Sequence, residues 1–225
     1  MKTKFSHDWE LSPDEAYYLQ CELSSMVKVY DDFSEINTVA GVDVAYDKEA
    51  NELVAGIVVI DLDSFDVIDS NWARAKQNFP YVPGLFSFRE LPSIIKCLRD
   101  IKIAPDLFVC DGQGIAHPRR FGLASHLGVL FDIPSIGCAK TKLLGEFVEP
   151  EVMRGAYSYL FDKDEYVGSV LRTQSNVKPV FVSPGHRVSI ESSVEYVLKL
   201  SPNYRLPETT RMADQLVRQQ LKAGN

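Results

Sequence analysis

The chain has 225 residues, a formal net charge of −7, 45% hydrophobic and 24% charged residues, proportions that exclude a disordered or fibrous protein and allow a substantial core. No Gly-, Ser- or Pro-rich linker divides it, so one domain over 1–225 is expected. No apolar run reaches membrane-spanning length, and the lysines near the start have no apolar segment behind them, which points to the cytoplasm and away from membranes.

In chain order, Ser12-Pro13-Asp14-Glu15 reads as a capped helix start, and the residues after it fit a helix through about Val29. Segments 37–46 and 52–60, separated by the polar break 47–51, read as a hairpin, and a third strand follows near 66–75. A proline-bracketed loop at 78–84 precedes a helix over Ser87 to Arg99, a strand over 105–111, a helix over Gly122 to Leu130 and a strand over Ile133 to Cys138. Residues 166–172 and 179–183 are further strand candidates, 183–189 reads as a turn, and helices over 190–200 and 208–221 close the chain. A meander followed by βαβ units predicts an α/β mixed sheet flanked by helices, the element order of the ribonuclease-H-like fold.

Charge is unevenly distributed. Residues 1–40 hold eight acids against three lysines, whereas 112–145 hold four cations against one acid, so a locally basic cleft on an acidic body remains open. Cys21, Cys97, Cys110 and Cys138 lack the spacing of zinc ligands, and Cys110 and Cys138, in apolar strand-like contexts, read as small core residues in a reducing compartment.

The strand ending in Asp111 breaks at once into Gly112-Gln113-Gly114, with His117, Arg119 and Arg120 close behind. A carboxylate, permissive backbone and cationic donors together suit a divalent metal and phosphate. On the first strand, alternation puts Asp43 on one face with Val39, Gly41 and Ala45, small neighbours that leave room for a cation; a strand-edge acid bonded to water is the plainer reading. Glu90, near a helix start, is either a capping or dipole partner or a third carboxylate of the same site. Lys140, just past a strand end, is a solvated surface charge or a group that neutralises a reacting phosphate. Phe79-Pro-Tyr-Val-Pro-Gly84 forms a stiff tip whose Tyr81 either packs on the domain or enters a base stack. His186 and Arg187 offer phosphate donors, although His186 equally suits a structural histidine.

Taken together these segments resemble the endonuclease V family. The matching stretches are VAGVDVAY (39–46), PYVPGLFSFRELP (80–92), VCDGQGIAHPRRFGLASHLGV (109–129), SIGCAKTKLLG (135–145), SPGHRVSIESSV (183–194) and YRLPETTRMAD (204–214), in order over nearly the whole chain after about residue 35. The resemblance implies a Mg2+-dependent endonuclease, with Mn2+ as a substitute. It would act, as a monomer, on DNA containing deoxyinosine. Cleavage would fall at the second phosphodiester on the 3′ side, leaving 3′-hydroxyl and 5′-phosphate ends. Asp43 and Asp111 match the metal-binding acids, Glu90 the third carboxylate, Lys140 the active-site lysine and Tyr81 the wedge; Asp214 stands where some relatives carry histidine, and its role stays open. Val82 and Phe86 stand where Ile and Leu are usual.

Nucleic acid is expected to meet Tyr81, Pro83, Gly84, Leu85, Gly112, Gly114, His117, Arg119 and His186, with backbone near the glycines reading a purine that lacks guanine's 2-amino group. Inosine-containing RNA is the alternative substrate. A lesion-binding module without catalysis is the alternative class, and the three carboxylates argue against it.

Overall fold

In the computed structural model, which describes residues 1–47 and 50–223, helix α1 (Pro13–Ser24) leads into strands β1 (Thr38–Asp47), β2 (Glu52–Asp61) and β3 (Val67–Lys76). Then come α2 (Phe86–Arg99), β4 (Leu107–Cys110), α3 (Leu123–Phe131) and β5 (Ser135–Ala139). Strands β6 (Tyr157–Asp162), β7 (Glu165–Leu171) and β8 (Val180–His186) precede α4 (Ile190–Lys199) and α5 (Glu208–Ala223). The strands join in one sheet in the order β3-β2-β1-β4-β5-β8-β7-β6. Strands β1, β4 and β5 run parallel, and the remaining pairings are antiparallel. Of the expected break at 47–51, residues 48–49 lie outside the described residues.

Side-chain alternation builds the layers. Val39, Val58, Ile60, Leu107 and Val109 pack with α4 and α5, while Ala40, Val42, Ile57, Phe108 and Cys110 pack with α2 and α3 on the other face, as period-two strands buried on both sides require. The cysteines are free; Cys110 and Cys138 are buried, in line with the core role expected of them, as is Cys97, while Cys21 is exposed. Among the described residues no helix is long and apolar enough to cross a membrane.

Helix α1 starts as expected, with the reciprocal Ser12–Glu15 capping box and Pro13 in the first turn. It ends earlier than Val29 because the hydroxyls of Ser24 and Ser25 turn back onto the carbonyls of Cys21 and Glu22 at 2.7 and 2.8 Å. Two other expectations are corrected. Residues 183–186 are not a turn but the end of β8, where Pro184 is tolerated because the pairing with β5 shifts register between Ser135 and Ile136; the chain turns only at Arg187, at φ 54°. Strand β6 was not anticipated, since it lies at the sheet edge with Tyr157, Tyr159 and Phe161 exposed rather than in a core.

The packing of α5 matters most for the site. A Cβ on Gly41 would fall 2.2 Å from the Thr209 carbonyl carbon, and one on Gly56 would fall 2.7 Å from Val217 Cγ1. Hydrogen at these two positions lets α5 lie close against β1 and β2.

Candidate active site

Three neighbouring parallel strands end along one edge of the sheet. Val42 of β1 pairs with Cys110 of β4, so Asp43 and Asp111, each one residue further on, stand side by side at the spacing of adjacent strands, roughly 5 Å. Lys140 follows the last residue of β5 and bonds Asp111 Oδ2. The carboxyl ends of parallel strands are the usual place for a ligand in such sheets. Helix α5, held close by the glycines, adds Asp214 and Arg218, and α2 adds Glu90 from the opposite layer; all face a cavity of about 550 Å3 with Asp43, Asp111 and Lys140.

Glu90 takes no part in capping: the residue before α2 is Leu85, which makes no side-chain cap bond. Instead the buried Glu90 accepts the Tyr46 hydroxyl at Oε1, 2.7 Å away. Burial, with Asp43 and Asp111 nearby, lifts its pKa to about 8 although the Tyr46 bond opposes the rise. Burial also raises Asp43 to about 7, reinforced by Asp111 and Asp214 and opposed by Lys140. Lys140 would be lowered by burial, but the bond and charge of Asp111, then Asp43 and Asp214, outweigh that and raise it, so it stays a cation. Carboxylates this reluctant to ionise mark a place where further positive charge is favoured.

The donors are oxygens, which suit a hard cation. Among the described residues no three histidine, cysteine or acidic side chains form a cage of their own, so an ion held by Asp43 and Asp111 would complete its shell with water and substrate phosphate, as magnesium commonly does.

A second cavity, of about 430 Å3, adjoins the first across Phe86, Asp111, Leu123 and Lys140. Its volume suits a nucleobase-sized guest. Tyr81, Pro83, Gly84, Gly112 and His117 line it, and Tyr81 projects with 70% of its surface exposed rather than packing on the domain. Arg89 lies 6.0 Å from the Tyr81 ring and 5.0 Å from that of Tyr46.

The cationic residues expected to meet phosphate are largely engaged within the protein. The Gly84 carbonyl accepts from Gln20 Nε2 at 3.0 Å, His117 Nε2 at 3.0 Å and Arg119 Nη2 at 2.7 Å. His117 receives the Arg119 N–H at Nδ1, and burial followed by the Arg119 charge lowers its pKa to about 4, so it is neutral and donates from Nε2. Arg119 also bonds Gln20 Oε1 and lies over Tyr17. Arg120 pairs with Asp162 and Glu165. These side chains shape the loop rather than stand free for phosphate.

Three further placements differ from expectation. Gly114 turns inward, its N–H donating to Ser183 Oγ at 2.8 Å and its open side filled by the Pro184 carbonyl. Leu85 buries its side chain with Ala16, Phe79 and Phe88, and its N–H bonds Val82. His186 pairs with Ser135 at the start of β5, the end away from Lys140, where it is buried and bonded to Lys28 N–H and Asp132. It is a structural histidine.

Gln20, Tyr46, Ser87 and Arg218 were not singled out beforehand. Gln20 had a readable signal, a polar side chain at helical spacing between Ala16 and Leu23, both buried; it is 1% exposed. Tyr46 and Ser87 lie inside matching segments but carry no distinguishing pattern.

The family model of endonuclease V matches residues 21–215. Endonuclease V of Roseiflexus sp. (strain RS-1) is 47% identical over 216 residues, covering 96% of each chain. The crystal structure of endonuclease V from Streptomyces avermitilis superposes with a TM-score of 0.92 at 45% identity, covering 100% of this chain and 99% of that one. Endonuclease V of Ciona intestinalis, solved with a 24mer DNA containing an inosine followed by a ribo-adenosine, matches with a TM-score of 0.83 at 29% identity over 94% and 98% of the two chains.

Proposed function

The chain belongs to the endonuclease V family, a nuclease family of ribonuclease-H-like fold, and on that premise we propose that it hydrolyses the second phosphodiester on the 3′ side of deoxyinosine in DNA. The products would carry 3′-hydroxyl and 5′-phosphate ends, and Mg2+ would be the metal, with Mn2+ as a substitute. The observation that supports this best is the junction of the two cavities: a base-sized space under a projecting tyrosine opens directly onto the carboxylate cluster. A nucleotide extruded into the first places its 3′ backbone over the second.

Asp43 and Asp111 would hold the ion, which supplies Lewis-acid neutralisation of the phosphate and of the leaving oxygen. Lys140, a cation beside Asp111, adds positive charge where the phosphate becomes more negative. Glu90 keeps Oε2 available, its other oxygen being taken by Tyr46, and is placed to receive the proton of the attacking water. Tyr81 fills the gap left by the extruded base. The clamp on the Gly84 carbonyl holds the loop that carries Tyr81.

An oligonucleotide with one deoxyinosine, incubated with the protein and Mg2+, is expected to be nicked one nucleotide beyond the lesion's 3′ neighbour. An intact strand at saturating protein refutes the reading. Inosine-containing RNA is a second reading, supported by the ribo-adenosine that follows inosine in the Ciona intestinalis complex. Matched DNA and RNA oligonucleotides decide between them.

A further inference from the structure

A chain of hydrogen bonds runs from the N-terminal segment to the base cavity, and its direction can be read from one end. His7 Nδ1 lies 2.6 Å from the Asp8 carbonyl oxygen, and a carbonyl only accepts, so this nitrogen carries the proton. Burial lowers the pKa of His7 and brings that of His126 well below the ordinary value, so both rings are neutral. A neutral ring protonated at Nδ1 is bare at Nε2. His126 Nε2, 2.8 Å from His7 Nε2, therefore donates, which leaves His126 Nδ1 bare in turn. That atom lies 2.9 Å from Ser87 Oγ, so the Ser87 hydroxyl donates to it.

Ser87 lines the base cavity with Tyr81, Gly84 and Gly112. With its only proton directed at His126, the Ser87 hydroxyl has nothing but lone pairs for a guest. The surroundings fix this arrangement. His126 is fully buried, stacked on Trp9 at 5.5 Å, and the strap carrying His7 is tied down by Lys4 N–H on the Leu130 carbonyl.

We propose that Ser87 is a specificity-determining residue, its oxygen accepting the N1–H of an extruded hypoxanthine, with His126 and His7 as positioning residues that deny it a donor role. This inference rests on the endonuclease reading above. Hypoxanthine carries a proton at N1, whereas adenine, its parent base, presents a lone pair there. An unrestrained serine hydroxyl would rotate to suit either. One whose proton is held back rewards hypoxanthine and opposes adenine, because a mismatched pair leaves buried acceptors facing each other.

The test compares single-turnover cleavage of two oligonucleotides, one with deoxyinosine and one with deoxynebularine, whose purine has a bare N1 and no O6. The missing O6 affects every variant alike, so the ratio of the two rates reports on N1. Ser87→Ala is expected to slow the deoxyinosine strand by about ten-fold and to speed the deoxynebularine strand, whose bare N1 no longer faces the serine oxygen. His7→Phe, which removes the acceptor for His126, is expected to narrow the ratio, and His7→Gln, whose Oε1 can accept the same proton, to restore it. Equal slowing of both strands by Ser87→Ala, or a wild-type ratio in His7→Phe, overturns the proposal. Failure of the unaltered protein to cut deoxyinosine at all would instead remove the endonuclease reading on which it stands.

Discussion

The Tyr46 hydroxyl and Glu90 Oε1, brought together from a strand and a helix, form a 2.7 Å hydrogen bond that favours the ionised carboxylate. Removing it with Tyr46→Phe leaves Glu90 under burial and two neighbouring acids, so its pKa rises further. A base with a higher pKa is protonated at higher pH, and the acid limb of the pH-rate profile should move upward by about one unit. An unmoved limb with a lower plateau would assign Tyr46 to packing alone.

Asp43→Ala and Asp111→Ala should each reduce cleavage of a deoxyinosine duplex by on the order of 100-fold or more, with binding to the same duplex largely kept. Binding and single-turnover cleavage are measured separately. Unchanged turnover in both variants would remove these acids from the metal site.

The raised pKa of Asp43 also predicts a cost in stability. Between its ordinary 3.8 and about 7 the folded chain holds a proton that the unfolded chain has released, so stability falls as pH rises through that window. Asp43→Asn should therefore be more stable than the parent at pH 8 without divalent ions, by at most on the order of 4 kcal/mol. The advantage should vanish near pH 4. If Asp43 holds Mg2+ as proposed, the ion binds the ionised acid and should narrow the difference in urea midpoint; a wider one contradicts metal binding at Asp43.

Gln20→Ala removes a donor to the Gly84 carbonyl and the acceptor for Arg119 Nε. The loop bearing Tyr81 then loses part of its fixed geometry. The expected result is a fall of about ten-fold in kcat/KM for deoxyinosine, carried mainly by KM, with a lowered Tm. Gln20→Glu keeps the acceptor and loses the donor, so it separates the two contacts. Full activity in both variants would show that the loop is held without α1.

How far the sequence could be read depended on the range of each determinant. Runs rich in β-branched and small residues at 39–46 and 52–60, divided by the polar break 47–51, made the meander legible, and the acid followed by glycines at 111–114 marked a strand tip. Family resemblance then singled out Asp43, Glu90, Asp111 and Lys140, which the fold brings to one cavity. What escaped was set by partners distant along the chain. Whether Arg119 faces phosphate depends on Gln20, and whether His186 is accessible depends on Lys28 and Asp132. Neither pairing leaves a local pattern. The edge strand β6 escaped for another reason, since its exposed aromatic residues do not mark a buried face.

Because Asp43 comes from the first strand and Asp214 from α5, which docks on Gly41 and Gly56, the acid-lined cavity has all its walls only once that helix has docked. Topology therefore makes closure of this cavity depend on a helix far along the chain from the strand that opens it.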